Sequence, residues 1–551
     1  MILRKWILCS LLALSLCEPA DAQPQYAFRI SFTDKAGSPP LSNPSAFLSP
    51  RALNRRLLQT IPLHVTDQPV SPAYMDSVLT ITGGKRHVTS KWLNTCVILL
   101  DDSSKILLLH NKPYVTDISY VAYYQNGIHG QKKFEEETHS ASSAKFRTTG
   151  NPAWYGPTWA QTNMVKGDCL HDAGYLGQGV LIAVLDDGFQ YVNTNPGFDS
   201  LYTSGRILDK HNFVKADTAV YTSYFHGTEV LSTMAGYVPN AFVGAAPLAQ
   251  YALYVTEDQG VEHPIEMDNM IAGMERADSL GADILSSSLG YDVFFSPVYY
   301  AIPDSQFDGN TTPVAIAANL AASKGMLLVI TAGNEGTNGL LTPGDADSVL
   351  TVGSVDINKT PASNSGYGPN TDGQTKPDVC ALGAPGYVII GGLNPTAVSG
   401  TSIATPQIAG FAACLWQATN GRTPYQIKTA IQKSAHVYST PGVQLGYGIP
   451  DFCAAFKALG IDDAKPGADN LSAYPNPFSN ELTISLDTPT NDNLLVQITD
   501  VTGKLVFSTV EVLTAGQNNV KVRIPADLSP GVYLCRLILS GEVRTVKLLK
   551  D

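Results

Sequence analysis

Four polar residues of this 551-residue chain have side chains that together could catalyse acyl transfer. Asp186 directly follows an apolar run, His226 precedes a Gly-Thr pair, and Ser402 ends a Ser-Gly-Thr-Ser sequence. A histidine, with a pKa of about 6.5, can take the proton of a serine hydroxyl at neutral pH while a carboxylate holds the imidazole in place. The amide of Asn334, beside a glycine, can donate to an oxyanion without carrying charge. These residue types suggest an Asp-His-Ser triad with an amide donor.

Each of these residues taken alone has a more ordinary interpretation. Taken alone, Asp186 could be an ordinary loop aspartate, His226 a structural or surface histidine, and Asn334 a turn residue. Ser402 could simply be the N-cap of a helix. The combination favours catalysis, because aspartate, histidine and serine follow one another in one of the three known chain orders for such a triad.

Ser402 is predicted to lie at the start of a buried helix. Gly400 allows the tight turn before it, and Pro406 is expected in the first helical turn, where an N–H would be unpaired anyway. Residues 408–416 are almost wholly apolar, so the helix has no face toward water. The unpaired N–H groups and the positive end of the helix dipole favour negative charge that develops at Ser402.

Short apolar runs alternate with helical stretches around these residues. This alternation predicts an α/β fold with a mostly parallel sheet flanked by helices. The predicted strands are residues 180–185, 250–255, 282–286, 326–330 and 348–352, and the predicted helices are residues 229–235, 266–280 and 315–324. Asp186 then stands at the carboxyl end of a buried strand, where the sites of open α/β sheets lie.

Residues 155–458 resemble the subtilisin-like serine peptidases, the subtilase family. The resemblance is carried by short motifs at residues 183–188 (Ala-Val-Leu-Asp-Asp-Gly), 226–228 (His-Gly-Thr), 288–290 (Ser-Leu-Gly), 332–336 (Ala-Gly-Asn-Glu-Gly), 399–406 (Ser-Gly-Thr-Ser-Ile-Ala-Thr-Pro) and 446–448 (Gly-Tyr-Gly). It implies a secreted serine endopeptidase whose catalytic residues are Asp186, His226 and Ser402. It also implies that the Asn334 side chain and the Ser402 backbone N–H form the oxyanion hole.

The sequence departs from the family pattern at a few positions. Asp187 stands where Thr or Ser is commoner, which adds a negative charge near the triad, and Ile403 replaces the usual Met. Residues 292–312 look longer than in the smaller members of the family. The shape of the substrate-cleft rim therefore does not follow from the resemblance.

The resemblance also predicts a first specificity pocket. Backbone and small groups of five residues would line it, namely Ser288, Leu289, Gly290, Ala332 and Gly333. None of these residues carries a charge. We therefore expect an uncharged residue, apolar or aromatic, before the scissile bond.

The N-terminal part of the chain indicates a signal peptide followed by a pro-domain. Residues 1–22 have a basic start, an apolar stretch too short to span a membrane, and a small-residue cleavage site before Gln23. Residues 23–125 are predicted to form a compact α/β unit that resembles the pro-segments of exported bacterial subtilases. The resemblance implies that this unit assists folding and blocks the cleft until it is cut; a permanent accessory domain is the alternative. The polar residues 126–154 are predicted as a linker to the peptidase domain at residues 155–458.

After a second predicted linker at residues 459–471, the pattern of residues 472–551 predicts an all-β sandwich. This part resembles the C-terminal sorting domains of the type IX (Por) secretion route. The motifs that carry the resemblance are Tyr-Pro-Asn-Pro at residues 474–477, Asp-Val-Thr-Gly-Lys at 500–504, Pro-Gly-Val-Tyr at 530–533 and Lys-Leu-Leu-Lys at 547–550. They imply export through the periplasm and across the outer membrane by that secretion machinery, to a secreted or cell-surface location. A generic β adhesion module is the alternative.

The net charge of −12 argues against nucleic acid and anionic membrane surfaces as partners. Protein or peptide substrates, the secretion machinery and a monomeric state are expected instead.

Two of the eight cysteines leave with the predicted signal peptide, and the other six have irregular spacings that give no zinc pattern. Four of these six lie from Cys169 to Cys453, and their three pairings stay open.

No cofactor is expected for catalysis, and no metal ligand is predicted. Subtilases often hold structural calcium, but no calcium-ligand loop is legible in this sequence.

The main alternative function is that of a catalytically inactive subtilase fold that serves as a surface binding or adhesion protein. An esterase is a third interpretation, and the absence of a Gly-x-Ser-x-Gly sequence at Ser402 argues against it.

Overall fold

The computed structural model describes residues 25–124, 152–221, 224–260, 262–294, 300–419, 421–459, 472–488, 491–500, 504–525, 528–539 and 542–551. The predicted signal peptide and nearly all of the two predicted linkers lie outside these ranges. Within them, no helix combines the length and the apolar character that crossing a membrane requires.

The α-helices of the described residues are α1 (Pro50–Leu58), α2 (Pro72–Thr82), α3 (Pro152–Tyr155), α4 (Trp159–Met164), α5 (Asp168–Asp172), α6 (Asp199–Thr203), α7 (His226–Ala235), α8 (Ile265–Leu280), α9 (Pro313–Ser323), α10 (Thr401–Thr419), α11 (Pro424–Ser434) and α12 (Phe452–Ala458). The strands are β1 (Gln25–Phe32), β2 (Lys85–Ser90), β3 (Thr95–Leu100), β4 (Val115–Tyr124), β5 (Leu181–Asp186), β6 (Ile207–Asn212), β7 (Tyr237–Val238), β8 (Phe242–Val243), β9 (Gln250–Val255), β10 (Ile284–Ser287), β11 (Val293–Phe294), β12 (Tyr300–Ala301), β13 (Leu327–Thr331), β14 (Leu350–Asp356), β15 (Val379–Ala384), β16 (Gly386–Val388), β17 (Thr396–Val398), β18 (Ser472–Tyr474), β19 (Glu481–Thr488), β20 (Asp492–Asp500), β21 (Leu505–Leu513), β22 (Gly516–Arg523), β23 (Gly531–Leu539) and β24 (Glu542–Lys550).

Four of the helices begin with the same pair of residue types, a hydroxyl residue at the N-cap and a proline at the first helical position. In each, the N-cap side chain accepts a hydrogen bond from a backbone N–H of the first turn, and the proline has no N–H to leave unpaired. The pairs are Ser49-Pro50, Ser71-Pro72, Thr312-Pro313 and Thr423-Pro424. The local sequence thus determines where α1, α2, α9 and α11 start.

Seven parallel strands form the central sheet, in the order β15-β14-β13-β10-β5-β9-β6. Every residue of β5 is buried, as a strand covered on both faces must be. One face packs on α7, α10, α11 and α12, and the other packs on α8 and α9. The predicted α/β fold with a mostly parallel sheet is confirmed. The five strands predicted from sequence correspond to β5, β9, β10, β13 and β14, whereas the edge strands β6 and β15 were not predicted.

Residues 25–124 form a separate α/β unit around an antiparallel sheet of order β2-β3-β1-β4. Alternate residues of β1 face opposite ways, because side chains alternate along a strand. Phe28 and Ile30 pack in the core of this N-terminal unit, whereas Ala27 joins the apolar core under α8 and α9 of the central unit. The N-terminal unit therefore shares part of its core with the central unit.

Basic side chains of the N-terminal unit surround one carboxylate of the central unit. Arg55 and Arg56 lie 2.5 and 2.9 Å from the carboxylate of Asp278 in α8, and Lys91 lies 3.1 Å from it. Burial by itself would raise the pKa of Asp278, but the charges of Lys91, Arg55 and Arg56 outweigh it and hold this pKa at about 2. We call these four residues the Asp278 cluster. It keeps an ionised carboxylate in the interior, between two units.

Two further acidic residues of α8 hold the N-terminal unit. Glu275 accepts hydrogen bonds from the backbone N–H groups of Lys91 and Trp92, at 2.8 and 2.9 Å. Arg29 of β1 donates to both oxygens of Asp268, at 2.6 and 2.7 Å, a geometry that is specific as well as strong. The helix α8 is therefore the main platform on which the N-terminal unit is seated.

The C-terminal unit consists of two antiparallel sheets, β18-β19-β22 and β21-β20-β23-β24. Their inner faces share one apolar core, to which Leu482 and Ile484 contribute from one sheet and Val496 and Leu537 from the other. This is the predicted all-β sandwich.

A disulfide joins Cys169 in α5 to Cys453 in α12, with a Cα–Cα distance of 6.0 Å. The two residues are 284 positions apart, so the bridge ties the beginning of the central unit to its end. Of the three pairings that the sequence left open, one contains this bridge, but its second bridge is not formed in the described residues, where Cys380 and Cys414 are thiols. The remaining cysteines of the described residues are buried thiols, namely Cys96, Cys380, Cys414 and Cys535.

Candidate active site

Strand β5 and helix α7 bring Asp186 and His226 together. Asp186 is the last residue of β5 and His226 the first of α7, and His226 Nδ1 lies 2.7 Å from Asp186 Oδ1. Both side chains are buried, which strengthens this charge-assisted hydrogen bond. Because the carboxylate oxygen accepts, the proton sits on Nδ1 and the neutral imidazole keeps its lone pair on Nε2. The ring is thus in the tautomer that a general base needs.

Gly227 explains how α7 approaches β5 so closely. A Cβ at this position would lie 2.4 Å from the carbonyl oxygen of Gly188 and 2.9 Å from Asp186 Cβ. No side chain fits in that space, so the glycine after His226 is what lets the imidazole reach the carboxylate.

Ser402 is the second residue of the 19-residue helix α10 and is buried. The prediction that Pro406 belongs to the first turn is wrong. Because α10 begins at Thr401, Pro406 lies inside the helix, and its missing N–H deprives the Ser402 carbonyl of its helical partner. The hydroxyl of Ser288 donates to that carbonyl at 3.0 Å and replaces the lost bond. Ser288 therefore holds the backbone of Ser402, a contact that the sequence did not reveal.

Asn334 follows strand β13 and its amide faces the start of α10. Its Oδ1 accepts hydrogen bonds from the backbone N–H of Thr401 at 3.0 Å and from the Thr401 hydroxyl at 2.9 Å. A backbone N–H can only donate, so the amide atom that faces it must be the oxygen. The Nδ2 group of Asn334 consequently lies on the other side of the amide, directed away from the Thr401 backbone.

These side chains meet because β5, β10 and β13 are neighbours in the parallel sheet, whose carboxyl ends lie at one edge. Asp186 ends β5, Ser288 directly follows β10, and Asn334 comes three residues after β13. Helices α7 and α10, which begin with His226 and with Thr401-Ser402, pack against each other over this sheet. The structure therefore gathers the sequence-predicted residues at one edge of the sheet.

Asp187 places a second carboxylate beside this group. It is buried and accepts hydrogen bonds from the backbone N–H of Gly227, at 3.2 Å, and from the side-chain amide of Gln259. Burial, and then the charge of Asp186, raise the pKa of Asp187 well above its usual range. Gln259 was not singled out from the sequence, and nothing in its local context marks it.

Asp186, Asp187 and His226 also form the group of described residues whose donor atoms, within 4.8 Å of one another, could hold a metal ion. The 2.7 Å contact between His226 and Asp186 is a hydrogen bond, and a metal on Nδ1 would have to displace it. These residues therefore fit proton transfer better than metal binding. The expectation that catalysis needs no cofactor stays a prediction.

The five residues predicted for the specificity pocket lie near the same sheet edge, mostly inside the protein. Ser288, Leu289, Ala332 and Gly333 are buried, and Gly290 is half-buried. The assignment of these residues to substrate binding stays a prediction.

Leu341 occupies the space in front of both glycines of that set. A Cβ on Gly290 or Gly333 would come within 2.5 Å of the Leu341 side chain. A cavity of about 220 Å³ is lined in part by Asp292, by Asp304 and by Glu335, the residue that follows Asn334. Burial, and then the charge of Asp292, raise the pKa of Glu335. Glu335 belongs to the motif at residues 332–336, but the sequence analysis assigned no role to it, to Asp292 or to Asp304.

Three stretches of the chain match known family profiles. Residues 177–450 match the Subtilase family (Peptidase S8), and residues 27–139 match the Peptidase S8 propeptide domain of Bacteroidota. Residues 472–551 match the secretion system C-terminal sorting domain. The three resemblances seen in the sequence are thereby confirmed, and they fall on the central unit, the N-terminal unit and the C-terminal sandwich.

Several curated proteins align with about half to two thirds of the chain. The Thermophilic serine proteinase of Bacillus sp. (strain AK1) is 32% identical over 296 residues, which cover 53% of this chain and 64% of that protein. Subtilisin BL of Lederbergia lenta is 29% identical over 272 residues, which cover 49% of this chain and 88% of that protein. Subtilisin NAT of Bacillus subtilis subsp. natto is 27% identical over 377 residues, which cover 67% of this chain and 83% of that protein.

Proposed function

The chain belongs to the subtilase family of serine peptidases, and on this premise we propose that it is an endopeptidase that acts through Asp186, His226 and Ser402. The observation that carries the proposal is the 2.7 Å hydrogen bond between His226 Nδ1 and Asp186 Oδ1. That bond lies at the sheet edge where Ser288 bonds the Ser402 backbone. An ordinary loop aspartate and a surface histidine have no reason to be buried together there.

The proposed reaction is acyl transfer. His226 takes the proton of Ser402 Oγ through Nε2 as the hydroxyl attacks a peptide carbonyl, and it then protonates the leaving amine. Asp186 holds the ring and stabilises the imidazolium that forms. Water, activated by the same histidine, releases the acyl group from Ser402.

The oxyanion is stabilised by two donors, the Nδ2 group of Asn334 and the backbone N–H of Ser402. The orientation of the Asn334 amide supports this role, because its oxygen is engaged by Thr401. Ser402 belongs to the first turn of α10, where N–H groups have no helical partner and the helix dipole favours negative charge.

The N-terminal unit acts as a pro-domain in this proposal. The unit at residues 23–125, whose described part is seated on α8, assists folding and blocks the cleft until the linker at 126–154 is cut, which frees the peptidase domain at 155–458. N-terminal sequencing of the secreted protein tests this step. A start within or after the linker is expected, and a start at Gln23 would contradict removal.

The C-terminal sorting domain marks the chain for export, to a secreted or cell-surface location. We propose that residues 472–551, joined by the linker at 459–471, are recognised by the type IX machinery at the outer membrane. The mature peptidase is proposed to be a monomer that needs no cofactor for catalysis.

Substrate preference is the least constrained part of the proposal. The five predicted pocket residues carry no charge and favour an uncharged residue before the scissile bond. If the cavity with Glu335 and Asp292 receives that side chain instead, a cation is favoured. Profiling with a peptide library separates the two, because a strict preference for Arg or Lys would contradict the uncharged pocket.

A fluorophosphonate probe tests the function directly, because it labels only a serine that is activated as a nucleophile. We expect the processed protein to be labelled and to cleave peptides. Ser402→Ala should abolish labelling and lower the rate by about 10⁶-fold, the size known for the nucleophile of subtilisin, while the fold remains. Retained turnover in this variant would remove Ser402 from the mechanism. Absence of labelling in the processed wild type would favour an inactive surface protein.

A further inference from the structure

We propose that Thr331 is a positioning residue that, through Thr401, keeps the Asn334 amide turned so that Nδ2 faces the oxyanion. This inference rests on the proposed function and extends it by one residue. Thr331 is the last residue of β13, and it directly precedes the motif at residues 332–336 without belonging to it.

The hydroxyl of Thr331 sits in a closed set of hydrogen bonds. It is buried, accepts from the backbone N–H of Gly333 at 3.2 Å, and donates to Thr401 Oγ1 at 2.7 Å. Because a hydroxyl has a single proton to donate, the bond to Thr401 determines the direction of every hydrogen bond in this set.

The Thr401 hydroxyl is the next donor in this set of hydrogen bonds. Since it accepts from Thr331, its own proton is available for Asn334 Oδ1, 2.9 Å away, or for the carbonyl of Gly333, 3.1 Å away. Both are acceptors, so while Thr331 donates to Thr401 Oγ1, the Thr401 proton is directed at Asn334 Oδ1 or at the Gly333 carbonyl. The backbone N–H of Thr401 supplies the second hydrogen bond to Oδ1, at 3.0 Å.

The consequence concerns the transition state. An amide with its oxygen held by two donors resists a flip that would present an acceptor to the oxyanion. Without the Thr331 hydroxyl, the rotation of the Thr401 hydroxyl between Asn334 Oδ1 and the Gly333 carbonyl is no longer fixed, and the bond to Oδ1 is lost for part of the time. Since the oxyanion exists only during the reaction, a misdirected Asn334 lowers kcat and leaves substrate binding, and therefore KM, nearly unchanged.

The experiment compares Thr331→Val with Thr331→Ser in the processed protein, produced from the full-length chain. Valine keeps the branched shape and removes the hydroxyl, whereas serine keeps the hydroxyl. We expect Thr331→Val to lower kcat about tenfold at unchanged KM, less than the 10²- to 10³-fold loss typical of a missing oxyanion donor. The inhibition constant of a peptide boronate, whose adduct with serine resembles the oxyanion, should rise by a similar factor. Thr331→Ser should restore both values.

A double-mutant cycle distinguishes positioning from a general structural effect. If Thr331 acts through Asn334, adding Thr331→Val to Asn334→Ala should cause almost no further loss of kcat. An additive loss would indicate that the orphaned N–H of Gly333 or a shift of β13 is responsible, and would overturn the inference. If Thr331→Val does not fold, Thr331→Ala replaces it in the same cycle.

Thr256→Val serves as the matched control. Thr256 is also a buried threonine directly after a strand of the same sheet, β9, and its hydroxyl has no hydrogen bond among the described residues. We expect this variant to keep the wild-type kcat. Wild-type kinetics in a folded Thr331→Val variant would overturn the inference about Thr331 but not the proposed function. A processed wild type without peptidase activity or probe labelling would overturn the proposed function and the inference with it.

Discussion

Asp278 in α8 and Asp187 after β5 are both buried carboxylates of the central unit, but the charges around them differ. Asp278 is surrounded by Lys91, Arg55 and Arg56, which outweigh its burial and hold its pKa at about 2. Asp187 lies beside another carboxylate, Asp186, so burial and its neighbour act in the same direction and raise its pKa. Equal burial thus produces opposite titration behaviour.

The difference matches the position of each carboxylate. The Asp278 cluster joins the N-terminal unit to the central unit, where a permanently ionised group can hold cations from the other unit. The pair Asp186 and Asp187 adjoins His226, and Asp186 holds the imidazole through the hydrogen bond to Nδ1. The Asp278 cluster thus forms a structural joint, whereas a carboxylate beside a histidine is the arrangement that the proposed proton transfer requires.

The largest effect is expected from removing the charge of Asp278. Asp278→Asn removes the salt-bridge partner of the buried Arg55 and Lys91 and leaves Arg56 with Asp67 alone. Breaking such a cluster costs about 3–5 kcal/mol. Chemical unfolding of the full-length chain in a Ser402→Ala background, which prevents self-cleavage, measures this loss. The control is Asp101→Asn, because Asp101 pairs with Lys105 at the surface and its removal should not change the free energy of unfolding. Equal stability of the two variants would contradict the role of the cluster.

The pH dependence of that effect sharpens the comparison. A carboxylate with a lowered pKa contributes stability that is present above its unfolded value, about 3.9, and is lost as the pH falls through its folded value. With a folded pKa of about 2, Asp278 should contribute fully at every pH above about 4. The difference in unfolding free energy between the Ser402→Ala background and Asp278→Asn should therefore stay constant from pH 8 to pH 5 and shrink only below about pH 4. A difference that already disappears at pH 5 would show that another group is responsible.

The smallest effect is expected at Asp187, and it has the opposite sign. A carboxylate with a raised pKa contributes stability that is present below its unfolded value and is lost as the pH rises through its folded value. Asp187→Asn removes this penalty and can still accept from the N–H of Gly227. We expect a gain in Tm of about 2 °C at pH 8 that fades as the pH approaches 4. Thermal melting at both pH values, again in the Ser402→Ala background, decides the matter, and a destabilised Asp187→Asn at pH 8 would contradict the argument.

Whether a strand of the central sheet could be predicted from the sequence depended on how apolar its residues are. Strands such as β5 and β13 are almost continuous apolar runs, and these runs made them predictable from the sequence. Strand β6 reads Ile-Leu-Asp-Lys-His-Asn and lies at the edge of the sheet, where one side needs no neighbour and polar residues are tolerated. Strand β15 contains small residues and a glycine, which are poor strand signals. Both were therefore missed.

The candidate site was predicted in its residue types and order but not in its internal contacts. The replacement of the Pro406 N–H by the Ser288 hydroxyl depends on two segments that are more than 100 positions apart. The same holds for the bond from Thr331 to Thr401, which are 70 positions apart. No local pattern carries such information, because spacing along the chain does not specify which distant side chains meet.

Local features of the sequence by themselves determined the starts of four helices, the strands of the sheet centre, the family motifs and the three-part organisation. These depend on hydrogen bonds and apolar spacing within a few residues. Only the tertiary structure decided that Cys169 pairs with Cys453, that three cations enclose Asp278, and that the Asn334 amide has its oxygen toward Thr401. Each of these outcomes is set by distances and burial between remote segments, and those arise only when the sheet and its covering helices have been assembled.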